Sequence, residues 1–262
     1  MFKKRIIAAV FLCFVLFGFV GQAYAGSSFS IAKLNNSEIS IGSNLYGKNM
    51  RIMVEKGSEK YYYSLNNNKE SLPIQLGDGA YTVKILQNTS GNRYKVLDKS
   101  TLTVKGSNSL DVYLSSSQPV YWAGMDKLDA LTKSLTINLK TDKEKINVIY
   151  SYIIENIKYD NNKINTISTD YVPNLEETIK SNTGICYDYA ALFAGMLRSE
   201  GIHTKLVKGY KNDMKEYHAW NEVLINGNWV IIDTTYDAAL NNNKNKQSMY
   251  KRMDEYNKQK EY

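Results

Sequence analysis

Cysteine is almost missing from this chain: its 262 residues hold two, Cys13 and Cys186. Cys13 lies in an N-terminal apolar run that reads as removable, which leaves Cys186 as the sole thiol. A single cysteine excludes an intrachain disulfide framework and a cysteine-rich zinc site. Histidine is equally scarce, so imidazole chemistry is confined to His203 and His218. No second apolar run approaches membrane length, and no internal repeat stands out. The net charge of +7 comes without the clustered basic stripe of a nucleic-acid binder. The run Asp160-Asn-Asn-Lys163 is oxygen-rich but lacks the carboxylate spacing of a calcium loop, and it reads as a solvated loop. No metal and no cofactor is expected.

What is present begins with a signal-peptide pattern over residues 1–25. Lys3, Lys4 and Arg5 precede an apolar stretch at 6–20, and Ala23-Tyr24-Ala25 supplies the small residues a signal peptidase cleaves after. The stretch is short for a membrane span, and Cys13 lacks the preceding small residue of a lipoprotein site. Export without lipid attachment is expected, with an uncleaved anchor as the other reading. Cleavage removes three positive charges and no negative one. The remaining mild excess suits anionic cell-surface polymers.

Residues 30–115 read as an all-β, sandwich-like module. Short β-branched runs at 39–41, 51–54, 81–85, 102–104 and 110–114 alternate with turn-rich stretches. Tyr61, Tyr62 and Tyr63 read as sheet packing more than as a ligand platform. Ser115-Ser-Ser-Gln-Pro119 reads as a linker, and residues 120–240 as a second, α+β domain. There Thr141-Asp-Lys-Glu144 is a capping box, with Ile146, Ile149, Tyr150, Ile153 and Ile157 recurring at helical spacing behind it. A second helix is expected over 184–200, apolar on most sides and hence buried, with Thr183 as N-cap and Gly201 as its stop. Strand-like runs follow at 204–207, 217–225 and 229–233, the last two flanking the Asn226-Gly227 hairpin signal. Residues 241–262 read as a polar tail with a short surface helix.

Cys186 falls in the first turn of the buried helix. Outward-pointing N–H groups and the helix dipole there favour a thiolate and can hold an oxyanion. A base is needed within reach. His203 sits in a connection and reads as a solvated loop residue, so His218 is the candidate. If Asn226-Gly227 is a two-residue turn, Ile225 pairs with Asn228, and Asp233 falls on the same face as His218 at diagonal distance. Asp233 can then fix the ring's tautomer, Trp220 can shield the pair, and Asp237 is the alternative orienter. A one-residue slip would separate the pair.

The segments Gly184-Ile-Cys-Tyr-Asp-Tyr-Ala190, Leu197-Arg-Ser-Glu-Gly-Ile202, His218-Ala-Trp-Asn-Glu222 and Trp229-Val-Ile-Ile-Asp-Thr234 resemble, in order and spacing, the core of transglutaminase-like proteins. The resemblance runs from about residue 142 to 237. It implies a papain-like α+β fold with Cys186 as nucleophile, His218 as base and Asp233 as orienting acid. Tyr187 stands where many relatives have glutamine, a departure that leaves the triad intact. The implied chemistry is acyl transfer from a protein or peptide amide through a thioester, resolved by an amine or by water. A non-catalytic adhesion or scaffolding protein that keeps the fold is the competing expectation.

Overall fold

The computed structural model describes residues 29–107, 110–168, 170–241 and 248–262. The expected signal segment, 1–25, lies outside them. Seven strands form the N-terminal region: β1 (Phe29–Lys33), β2 (Glu38–Ser43), β3 (Met50–Lys56), β4 (Glu59–Ser64), β5 (Lys69–Pro73), β6 (Gly79–Ser90) and β7 (Arg93–Val104). They make two antiparallel sheets, ordered β1-β2-β5 and β4-β3-β6-β7. Alternation decides which side chains turn inward. Ile39 and Ile41 from one sheet, and Ile52, Val54, Val83 and Ile85 from the other, are buried in a shared core. In β4, Tyr61 and Tyr63 are buried while Tyr62 between them is exposed, which is ordinary period-two packing.

Two local expectations need correction. The run at 110–114 is a 3-10 turn, Asp111–Leu114, and not a strand. Val112 and Tyr113 are both buried although adjacent, which an alternating strand facing one core cannot achieve. Nor is 115–119 a free linker. Gln118 accepts from the Ser64 N–H at 2.6 Å and donates to the Ser64 carbonyl at 3.0 Å, standing in for a strand's peptide group. Ser115, Ser117 and Gln118 are buried along the seam between the two halves.

The C-terminal half runs α1 (Asp126–Thr136), α2 (Asp142–Asn156), β8 (Lys158–Tyr159), α3 (Leu175–Ser181), β9 (Thr183–Gly184), α4 (Cys186–Ser199), β10 (Thr204–Lys211), β11 (His218–Ile225), β12 (Asn228–Ile232), α5 (Thr234–Asn241), β13 (Tyr250–Lys251) and β14 (Tyr256–Glu261). The capping box opens α2: Thr141 Oγ1 accepts from Glu144 N–H, and Glu144 returns the bond to Thr141 N–H. Helix α4 is buried from Asp188 to Arg198 and lies against β10 and β11. The sheet beneath it is ordered β13-β12-β11-β10-β14.

The end of the chain is therefore not a surface helix over its described part. Strand β14 pairs antiparallel with β10, from Val207 opposite Glu261 to Lys211 opposite Tyr256. An edge strand needs only one buried face, so a polar sequence can serve. Here the outward lysines and glutamate find partners: Lys258 meets Glu222 and Lys260 meets Glu59. Where β14 crosses Gly209 the register shifts. A side chain at Gly209 would strike the Asn257 carbonyl and the Trp220 ring.

Candidate active site

The approach to Cys186 is clamped on both sides. Strands β8 and β9 form a short parallel pair with Tyr159 opposite Gly184, and Asp160 N–H donates to the Gly184 carbonyl at 2.9 Å. The N-cap of α4 is Ile185, which has no capping hydroxyl, and not Thr183. Asp188 supplies the missing acceptor. Its fully buried carboxylate takes the Ile185 N–H at 2.9 Å, the Lys163 ammonium at 2.7 Å and the Tyr171 hydroxyl. That carboxylate lies close against Gly184, where an added Cβ would come within 2.7 Å of the Asp188 Cβ. Cys186 is thereby fixed at a helix start, half-buried and outside any disulfide.

Strand β11 opens with His218. The hairpin pairs Ile225 with Asn228 and continues in register to Asn221 opposite Ile232. Asp233 ends that arm, just before α5. His218 Nε2 lies 2.8 Å from Asp233 Oδ2, with His218 3% and Asp233 0% exposed. The Cys186 thiol stands near enough to act on the ring, as a side-chain partner and through its negative charge, and both raise the imidazole. With Nε2 given to Asp233, Nδ1 is the nitrogen left for sulfur. The structure thus brings Cys186, His218 and Asp233 together, with the last two hydrogen-bonded. His203 stays in the α4–β10 connection, and its carbonyl accepts from Leu224 N–H. Asp237 is committed elsewhere, to Lys251 and to the Tyr150 hydroxyl.

Two further residues complete the surroundings of Asp233, and sequence reasoning missed both of them. Tyr236 N–H donates to Oδ1 at 3.0 Å, and the Tyr256 hydroxyl donates to Oδ2 at 3.0 Å. Tyr256 was hidden because it arrives from the stretch that reads as a tail; no local signal marks it. Trp220 lies beside the His218 ring, centroids 6.3 Å apart, and packs on Tyr256 at 5.0 Å. This apolar cover keeps water from the imidazole–carboxylate pair.

Burial works against a charge on His218, but the bond to Asp233, the Cys186 side chain and the negative charge of both outweigh it, pushing the imidazole up to about 10. A folded value above the ordinary 6.5 means that the imidazolium's contribution to stability is fully present below pH 6.5. It is lost as pH rises toward 10. The stability gap between wild type and His218→Gln should therefore shrink between pH 6.5 and 10, read from urea midpoints at half-unit steps. A flat or widening gap would contradict the charged pair.

Residues 129–234 match the family model of the transglutaminase-like superfamily. That segment is transglutaminase-like. The fold as a whole is mixed α and β, an all-β N-terminal region followed by a transglutaminase-like domain. Among solved structures, the chain is similar to a candidate cysteine protease from Cytophaga hutchinsonii, at 18% identity over 88% of this chain and 70% of that one, TM-score 0.45. It is also similar to the periplasmic domain of TgpA from Pseudomonas aeruginosa, at 16% identity over 82% and 78%, TM-score 0.38. Legionella pneumophila LapG is 19% identical over 41% of this chain and 61% of its own, TM-score 0.35. No curated protein matches the chain at a significant level. Among the described residues, no cluster of three or more His, Cys, Asp or Glu could hold a metal ion in the transglutaminase-like domain or outside it. No described helix is long and apolar enough to cross a membrane.

Proposed function

We propose that this protein is an exported thiol enzyme that attacks a carboxamide of a protein or peptide. Cys186 is its nucleophile, His218 its acid–base group and Asp233 its orienting acid. The observation behind this reading is that a thiol at the start of a buried helix stands near a buried imidazole that is hydrogen-bonded to a buried carboxylate at 2.8 Å. The sulfur's proton passes to His218 Nδ1, and the thiolate adds to the carbonyl carbon. Backbone N–H groups in the first turn of α4 are suited to hold the resulting oxyanion. Imidazolium returns the proton to the departing nitrogen, leaving a thioester and free ammonia or amine. His218 then takes a proton from the acceptor, which is an amine in transamidation and water in deamidation or proteolysis. Throughout, Asp233 keeps Nε2 protonated so that Nδ1 serves as the base. Release through the segment at 1–25 puts this chemistry outside the cytoplasm, at or near the cell surface.

The test uses the mature protein. Iodoacetamide should label Cys186 at pH 6 at least about tenfold faster than a free thiol of ordinary pKa, and His218→Ala should remove the advantage. A glutamine peptide with a labelled amine, followed by mass spectrometry, then separates the acceptors. Amine incorporation marks transamidation, a shift of about one dalton marks deamidation, and fragments mark proteolysis. Ordinary thiol reactivity in both proteins would sink the enzyme reading and leave a scaffold that keeps the fold.

A further inference from the structure

A crevice of about 80 Å³ opens at the seam between the β module and the transglutaminase-like domain. One water needs roughly 10–15 Å³, so the space accepts a small polar group and not an aromatic ring. Its walls include Arg51 and Tyr63 from the first half, and Tyr171, Tyr187, Lys208 and Tyr262 from the second.

The two cations are the unusual feature. Arg51 is only 8% exposed, and its Nη1 donates to Ser64 Oγ at 2.7 Å. The half-buried Lys208 ammonium sits 3.3 Å from the centre of the Tyr187 ring. Among the described residues, neither cation forms a salt bridge. Lys205, Lys211 and Lys251 are similarly enclosed, yet each meets a carboxylate. The acids nearby do not fill the gap. Asp188 is taken by Lys163, Tyr171 and the Ile185 N–H, and Asp170 feels Arg51 only through space. Enclosed charges are normally paired, because desolvating them alone is costly. Two basic groups with no carboxylate in contact, facing one cavity, therefore point to an anion that comes from outside.

The crevice lies on the side of the thiol, although Cys186 is not one of its walls. Tyr187 follows Cys186 directly, and Lys208 stands opposite Ala219, the residue after His218. Burial pulls Lys208 down to about 7, while the negative charge of Cys186 pulls the other way. An arriving carboxylate would restore the lysine's proton.

We propose that this crevice is a specificity subsite for a carboxylate that neighbours the reactive amide of a peptide substrate, with Arg51 and Lys208 as its cationic clamp. The proposal rests on Cys186 being the attacking group, and it names the chemistry of the substrate's adjoining residue. That carboxylate can be an acidic side chain or a chain terminus.

Iodoacetyl probes read the subsite without any knowledge of the natural substrate, since each alkylates the thiol and releases iodide. N-iodoacetylglycine against its carboxamide tests a terminal carboxylate. N-iodoacetylaspartic acid α-amide against N-iodoacetylasparagine α-amide tests a side-chain carboxylate. At pH 6.5 the better carboxylate probe should label Cys186 about tenfold faster than its amide partner, a ratio normalised to the same pair on free cysteine. The ratio should fall to about one in Lys208→Met, and also in Arg51→Gln, with near-ultraviolet circular dichroism confirming that each variant is folded. Working with ratios within one protein separates the two readings. A slow thiol with a carboxylate preference would sink the enzyme reading, and with it the role toward a substrate, while showing that the crevice holds a carboxylate. A fast thiol with equal rates for both pairs, or a preference that survives in Lys208→Met, overturns the subsite.

Discussion

Asp233→Asn should reduce turnover by about three to four orders of magnitude while leaving the protein folded. The buried carboxylate accepts three hydrogen bonds, from His218 Nε2, the Tyr256 hydroxyl and the Tyr236 N–H. An asparagine keeps the Tyr236 bond only by turning its oxygen there. Its NH2 then faces His218 and forces Nε2 to become the acceptor. The ring proton moves to Nδ1, which can no longer take the proton of Cys186. Iodoacetamide labelling at pH 6 should fall to the rate of an ordinary thiol in step with turnover. Asp237→Asn is the matched control, since Asp237 is held by Lys251 and Tyr150 on a separate network. Equal losses in both variants would mean a general structural effect and would remove Asp233 from the triad.

The second large effect concerns stability. Arg198, only 3% exposed at the end of α4, donates to three backbone carbonyls: Thr204 through Nε at 2.9 Å, Ser115 through Nη1 at 3.0 Å and Tyr262 through Nη2 at 2.9 Å. One guanidinium thus ties α4 to the seam segment, to β10 and to the end of β14. Arg198→Met should cost about 3–5 kcal/mol, because each abandoned carbonyl loses a charged donor and stays enclosed. Arg198→Lys should recover only part of this, since a single ammonium cannot span three carbonyls in a planar fork. Urea denaturation of the three proteins measures the series. A loss below about 1 kcal/mol in the methionine variant would show that water can replace the guanidinium.

Which parts of this arrangement were legible in the amino-acid sequence follows from how local their causes are. The start of α2 needs only Thr141 and Glu144, two residues three apart that satisfy each other, so it reads directly. The burial of α4 reads equally well because its residues are apolar on most sides. The pairing of the β11–β12 hairpin could be reasoned out because Asn226-Gly227 pins the turn, with Asn226 at φ 51° and Gly227 at φ 79°. Helix α1 was passed over although Leu128, Leu131 and Leu135 recur at helical spacing, a signal diluted by the charged residues between them. The contributions of Tyr256, Lys208 and Arg51 were not legible at all. Each depends on which distant strand it meets, and polar residues carry no periodic mark of a partner. Asp188 is an intermediate case: a carboxylate three residues past Ile185 could have been read as reaching back to the helix start.

The pairing of β14 with β10 has a bearing on timing. Asp233 and Tyr256 are 23 residues apart in the chain. As the polypeptide is made from its N-terminus, Cys186, His218 and Asp233 all exist before the hydroxyl that completes the acid's set of donors. Until β14 is laid down, β10 has an open edge, and one lone pair of the buried carboxylate is unmet. The His218–Asp233 pair therefore acquires its full set of donors only once β14 has paired with β10.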